Sequence, residues 1–116
     1  MNIKIVNCDE VTEWLNNNGV GSVAFVNAPV AEGVVTSICR QAENNGETLI
    51  DIRWTNLENT DFNDLGAPLF MNIEDDAVVL IDETWAAPNA AFSTPLWMFV
   101  QWLTMRGNKV IIPVRP

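Results

Sequence analysis

A run of apolar residues that leads directly into two carboxylates places the strongest constraint on how this chain folds. Residues 77–83 read Ala-Val-Val-Leu-Ile-Asp-Glu. An uninterrupted apolar run of this length is typical of a strand that is covered on both faces, as in a parallel sheet flanked by helices. The pattern therefore predicts a buried strand over 77–81 whose carboxyl end presents Asp82 and Glu83 at the edge of a sheet.

Other apolar segments alternate with segments of helical periodicity along the whole chain. Helices are predicted around Val11, Trp14 and Leu15, over about 31–44 and over about 89–106. The strands predicted between them cover 2–6, an edge strand, then 22–26, 48–54, 77–81 and 109–112, the last closed by Pro113. This order predicts an α/β three-layer sandwich with a mostly parallel sheet of four to five strands, connected by right-handed crossovers.

Pro95 affects where the last helix begins. A proline in a helix interior costs about 3 kcal/mol, so the helix either starts at 94–95, with Thr94 as its cap, or kinks there. Helical spacing further predicts that at least one of Trp97 and Trp102 is buried. The apolar residues of this segment are Phe92, Leu96, Trp97, Phe99, Val100 and Leu103.

Composition limits the class of protein and of chemistry. The 116 residues, with 48% apolar side chains, predict one globular domain over 1–116, and no apolar run approaches the ~18 residues of a membrane span. The N-terminal residues do not form a signal peptide, and two cysteines without a disulfide framework favour a reducing cytoplasm. The chain has no histidine, which excludes Cys/His zinc sites and every catalytic triad or dyad that needs an imidazole.

The charge of the chain is strongly acidic. Fifteen acidic residues against six basic ones give a net charge of −9, and a field of that sign repels nucleic-acid phosphates. No direct nucleic-acid binding is therefore predicted. Two interpretations of the acidity stay open: it keeps the protein soluble, or it competes with DNA for a basic partner.

The ordered series of segments resembles the first two-thirds of an AAA+ ATPase core, a P-loop NTPase fold, closest to its MoxR-like branch. The resemblance covers about residues 9–115 and implies a P-loop NTPase-like sandwich that lacks the helical lid of the family. It rests on a strand at 22–26 before the phosphate loop, an Ile-Asp-Ile-Arg ending at 50–53, a Walker B-like run at 78–83, and a strand at 109–113 in the place of the one that carries sensor 1.

The segment that resembles the phosphate loop departs from the family pattern. A working loop needs GxxxxGK[ST], in which the lysine reaches the β- and γ-phosphates. Residues 27–36 read Asn-Ala-Pro-Val-Ala-Glu-Gly-Val-Val-Thr, so the lysine position falls on Gly33 or Val34. Glu32 adds a negative charge where phosphates would sit, and Arg40 lies about one and a half helical turns too far along to substitute.

Asp82 and Glu83 carry what would remain of the family's chemistry. In a Walker B motif the Asp supports Mg²⁺ and the Glu polarises the attacking water. Two interpretations stay open here: a remnant of a magnesium or nucleotide site, or a strand end whose carboxylates bond to backbone amides or to Thr84. The degenerate phosphate loop favours the second, so no catalytic residue, metal or cofactor is predicted.

The favoured function is that of a non-catalytic interaction protein. Small, acidic domains with a degenerate enzyme fold are typical of bacteriophage-encoded inhibitors, which bind and block a host protein. The predicted contact with a host protein, or with a second copy in a homodimer, is an apolar patch for which core packing is the competing explanation. The patch consists of Trp85, Phe92, Trp97, Met98 and Trp102.

Two alternative functions follow from the acidic residues. A weak nucleotide-binding ATPase-like protein would use Asp82 and Glu83 and would bind ATP or GTP with Mg²⁺. An acidic DNA mimic would bind a DNA-binding protein with an affinity that falls steeply with salt. Its carboxylate stripe, for which a solvated loop surface is the favoured competing explanation, would consist of Asp61, Asp64, Glu74, Asp75 and Asp76.

Overall fold

The computed structural model describes residues 2–27, 33–53, 73–82 and 94–114. The described part contains five strands and three α-helices that alternate in the order the sequence predicts. The strands are β1 (Asn2–Asn7), β2 (Ser22–Asn27), β3 (Leu49–Arg53), β4 (Val78–Asp82) and β5 (Lys109–Val114). The α-helices are α1 (Val11–Asn17), α2 (Val34–Asn44) and α3 (Thr94–Met105), and a 3₁₀ turn at Cys8–Glu10 precedes α1.

The five strands form one sheet in which every pair is parallel. Their order across the sheet is β1-β2-β5-β4-β3, so β1 and β3 are the edges. The predicted α/β sandwich with a parallel sheet is therefore confirmed, as is the edge position of the first strand. All five residues of β4 are buried, as expected for an apolar run covered by helices on both faces.

The direction of each crossover decides which face of the sheet a helix covers. The chain moves one way across the sheet from β1 to β3 and back from β3 to β5. Right-handed crossovers then place α1 and α2 on one face and α3 on the other. The first core contains Val11, Trp14, Leu15, Val34, Ile38 and Ala42 from these two helices, packed on the sheet, and the second contains Phe99, Val100 and Leu103 of α3.

A capping contact precedes α1, and glycines follow the ends of α2 and α3. The carboxylate of Glu10 accepts hydrogen bonds from the backbone N–H of Asn7 at 3.3 Å and from its side-chain amide at 2.6 Å. These bonds fix the entry into the turn before α1. Gly46 and Gly107 adopt φ values of 75° and 90° just beyond α2 and α3, a backbone conformation that favours glycine.

Two predicted boundaries are wrong and one alternative is selected. Pro113 does not close the last strand, because β5 continues to Val114. The ladder between β5 and β4 ends at Ile111, and Pro113, beyond that end, is in register with Val26 of β2. The fourth strand includes Asp82 and starts at Val78. The described α3 begins at Thr94, which puts Pro95 in its first turn rather than at a kink.

Candidate functional site

The carboxyl ends of the strands form the edge at which open α/β sheets bind ligands. Such sites lie where neighbouring crossovers diverge to opposite faces. Here the chain leaves β2 toward the face of α2 and leaves β4 toward the face of α3, so the divergence lies above the carboxyl end of β5. Asn27 ends β2 and Asp82 ends β4 on either side of it; the segments 28–32 and 83–93, including Glu32 and Glu83, lie outside the described residues.

Asp82 is a nearly buried carboxylate at this edge. It is 8% exposed, pairs in register with Arg53 of β3, and shares the α2 side of the sheet with Leu80. The structure therefore places Asp82 where the sequence predicts it, at the end of a buried strand. Its immediate electrostatic neighbourhood includes the thiol of Cys39 on α2.

Cys39 is the titratable group whose environment is most informative. Burial raises the pKa of the Cys39 thiol above its ordinary value, and the negative charges of Asp51, Asp82 and Glu43 raise that pKa further. A raised pKa keeps the sulfur protonated at neutral pH, which is the opposite of what a nucleophile or a metal ligand needs. Within the described ranges, no group of three or more Cys, Asp or Glu side chains is placed to hold a metal ion.

The reactivity of Cys39 provides a test of this arrangement. Replacing Asp51 by asparagine is expected to raise the alkylation rate of Cys39 by iodoacetamide at pH 8 roughly twofold to fivefold, because removing a nearby negative charge increases the thiolate fraction. Mass spectrometry of tryptic peptides measures the rate at each cysteine. The matched control is Glu47→Gln, which removes the same charge from a residue that does not raise the pKa of Cys39; equal rates in the two variants would contradict the placement of Asp51.

The described part of the segment that resembles a phosphate loop has no basic side chain before Arg40. Gly33 has a φ of 81° and directly precedes α2, and the N–H of Ser37 donates to its carbonyl at 2.9 Å. Residues 33–39 contain no basic side chain, and Arg40 lies exposed on the second turn of the helix. The described start of α2 therefore offers backbone groups but no lysine for a triphosphate.

The two tryptophans of α3 flank the core instead of filling it. Trp97 is half-buried with its ring 6.0 Å from that of Phe25, and Trp102 is half-buried and stacked on Phe99 at 6.0 Å. The prediction that at least one of the two tryptophans is buried is wrong. The reason is helical phase, because Phe99, Val100 and Leu103 occupy the line that faces the sheet and the tryptophans lie to either side of it.

The solvent side of α3 is apolar and uncharged. Met98 is 47% exposed and Met105 is 81% exposed, with exposed Gln101 and half-buried Trp102 between them along the helix. We call these four residues the α3 outer face. None of the twelve residues of α3 carries a charge. The side chains of Trp85 and Phe92, which belong to the predicted apolar patch, lie outside the described residues.

Only part of the predicted carboxylate stripe is described. Glu74, Asp75 and Asp76 lie exposed in the turn before β4, whereas Asp61 and Asp64 lie outside the described residues. Arg106 Nε donates to Asp75 Oδ1 at 3.0 Å, and its guanidinium lies 4.3 Å from the ring centroid of Trp102. One acid of the stripe is therefore neutralised by an arginine of the same chain.

Comparison with known proteins gives no relative. No family model matches the chain, and neither the curated proteins nor the solved structures contain a match. Among the described helices, none has both the length and the apolar character needed to cross a membrane.

Proposed function

We propose that this chain is a non-catalytic interaction protein that docks on another protein through the α3 outer face. The observation that carries the proposal is a twelve-residue surface helix without a charged residue in a chain of net charge −9. A surface helix of a globular protein ordinarily presents charged residues to water, and a helix that is apolar on all sides is ordinarily covered.

The chemistry of the α3 outer face suits a protein partner. Met and Trp are enriched at the centres of protein interfaces, where charged residues are depleted. Exposed Met98 and Met105 supply flexible apolar contacts that adapt to a partner surface. Trp102, held between Phe99 and the guanidinium of Arg106, is a rigid aromatic anchor beside them.

The absence of histidine from the sequence and the environment of Cys39 fit a binding role. The chain has no histidine, and the raised pKa of Cys39 disfavours its thiolate. Cys8 and Cys39 are both free, which fits the proposed cytoplasmic location. We further propose that the fold is a degenerate AAA+ domain and that the partner is a host protein inhibited or modulated by a bacteriophage-type factor. The ordered elements and the uncharged helix support this assignment.

A second candidate is a weak nucleotide-binding protein, favoured by the position of Asp82 beside the point where the crossovers diverge. The described start of α2 lacks a cation to bind the phosphates, so this candidate ranks below docking. The DNA mimic ranks third. The salt bridge between Arg106 and Asp75 reduces the negative charge that such a mimic would present.

The docking proposal is tested by affinity capture with matched charge variants. The tagged full chain, the double variant Met98→Lys/Met105→Lys and the control Thr36→Lys/Asn44→Lys are incubated with bacterial lysate, and retained proteins are quantified by mass spectrometry. The control adds the same two charges at exposed positions on α2, on the other side of the sheet. We expect a protein retained by the wild type and the control and reduced at least tenfold by the double variant. A wild-type chain that retains nothing beyond what the double variant retains contradicts the proposal.

A further inference from the structure

The edge strand β1 exposes two isoleucines on the α3 side of the sheet. Ile3 is 46% exposed and Ile5 is 72% exposed. They are in register with Val23 and Phe25 of β2, whose side chains belong to the core under α3. The helix thus covers β2 but leaves the neighbouring strand open. Within the described sheet β1 has a strand partner on one side only.

The described residues between β1 and α3 carry no charge. A groove of about 400 Å³ lies there. Its lining consists of Asn2, Val20, Gly21, Gln101, Thr104 and Met105, none of which is ionisable. Lys4 is the single charged residue of β1, and it points to the opposite face, where it borders Glu10 and Glu13. The exposed face of β1 is therefore neutral although the chain has a net charge of −9.

We propose that a second copy of this chain pairs with β1, so that two antiparallel β1 strands join the two sheets into one of ten described strands. A two-fold axis perpendicular to the sheet relates the copies and keeps both α3 helices on the same side. Ile3 and Ile5 of both copies then form a shared apolar cluster between the two helices. This inference stands on the edge strand, although the neighbouring groove shares Gln101 and Met105 with the α3 outer face.

Charge and buried area both favour a second copy of the chain as the partner of β1. Two copies that each carry −9 repel each other least where their facing surfaces are uncharged, and the described α3 side of β1 is such a surface. The other edge, β3, includes Asp51 and Arg53 in a strand of five residues. Pairing of two β1 edges over five or six residues, with the flanking helices, would bury on the order of 1,000 Å² in total, which is at the lower end for a weak specific dimer.

The side chains of β1 select one register. In an antiparallel pair, directly opposite residues lie on the same face of the sheet. The two-fold axis must therefore pass midway between the two copies of one residue, which lie opposite each other. An axis at Lys4 places two like charges opposite each other, which is destabilising. An axis at Ile3 leaves only residues 2–4 paired. An axis at Ile5 pairs residues 3–7, with Ile5 opposite its own copy and Lys4 opposite Val6, and is the register we propose.

Sedimentation equilibrium of the purified full chain tests the dimer. We expect a concentration-dependent monomer–dimer equilibrium with a micromolar dissociation constant. The variant Ile5→Lys should raise that constant at least tenfold, because it adds two like charges at the two-fold axis. The control Thr36→Lys adds the same charge at an exposed position on α2 and should leave the constant within twofold. A chain that stays monomeric at 500 μM, or a dimer that Ile5→Lys does not weaken, overturns the proposal.

Disulfide cross-linking tests the register. Opposite residues of an antiparallel pair have Cα atoms about 5 Å apart, within the range of a disulfide, so Ile5→Cys should form a covalent dimer under mild oxidation. In the same register two copies of residue 3 are separated by four residues, about 13 Å, and Ile3→Cys should not cross-link to itself. Wild-type protein controls for the two native cysteines. Cross-linking of Ile3→Cys in preference to Ile5→Cys, or of neither, overturns the proposed pairing.

Discussion

Replacing Phe99 by alanine is expected to lower the free energy of unfolding by about 3–5 kcal/mol. Phe99 is fully buried in the core between α3 and the sheet, where its ring stacks on Trp102. Removing it forfeits the burial of an aromatic side chain and leaves a cavity that the rigid sheet cannot fill. Since a domain of this size is stabilised by only about 5–15 kcal/mol, the loss takes away a large share of the total.

Met98→Ala is the matched control for this prediction. Met98 is the preceding residue on the same helix and lies on its solvent side, so truncating it should cost less than about 1 kcal/mol. Urea denaturation followed by tryptophan fluorescence and circular dichroism measures both variants, with the slope of each transition as a check on two-state behaviour. Similar midpoints for the two variants would contradict the orientation of α3 described above.

The sheet could be predicted because each strand has a recognisable apolar pattern in its own local sequence. A strand with an apolar run such as 77–81 is buried only if helices pack on both of its faces. The alternation of strands with helical segments then favours parallel pairing. The placement of Asp82 followed from the same run. The end of β5 was predicted wrongly at Pro113. Whether the strand tolerates a proline there depends on where its ladder with β4 ends, and the local sequence does not show that.

Contacts between distant segments explain most of what the sequence could not predict. Gln41 joins α2 to α1: its amide donates to the carbonyl of Cys8 at 2.7 Å, and its oxygen accepts from the N–H of Thr12 at 3.0 Å. A glutamine on a helix gives no signal for such a role, because most are solvated. The environment of Cys39 is of the same kind, since the charges that raise its pKa come from two strands and its own helix.

The exposure of the two candidate surfaces, the α3 outer face and the open face of β1, also could not be predicted from the sequence. An alternating strand such as 2–6 predicts that one face is apolar but does not reveal whether a helix of the same chain covers that face. Likewise, the apolar content of α3 left a contact patch and core packing both open, and only the phase of the helix on the sheet shows that Met98 and Met105 remain outside. Both surfaces become visible once the topology assigns α3 to β2, β5 and β4 and leaves β1 open.

The second large effect is expected for Asn108→Asp, at about 3–5 kcal/mol of lost stability at pH 7. Asn108 is fully buried at the start of β5, and its amide nitrogen donates to the carbonyls of Glu74 at 2.7 Å and Ala77 at 2.8 Å. These bonds hold the turn that leads into β4. A carboxylate in the same place has no proton to donate, so it leaves both carbonyls without this donor and brings an unpaired buried charge against them.

The loss caused by Asn108→Asp should depend on pH with a definite sign. Burial against two carbonyl oxygens raises the pKa of the introduced carboxyl group above its unfolded value of about 3.9, because only the protonated form can donate. The unfolded state therefore releases its proton first, and the stability difference from wild type widens as pH rises from about 4 through the folded-state pKa. Denaturation at pH 4.5 and 7.5 measures that difference.

Gln101→Glu, the same change at an exposed position, should cost less than about 0.5 kcal/mol at both pH values. A deficit for Asn108→Asp that does not change with pH would mean that its side chain does not bridge the two carbonyls.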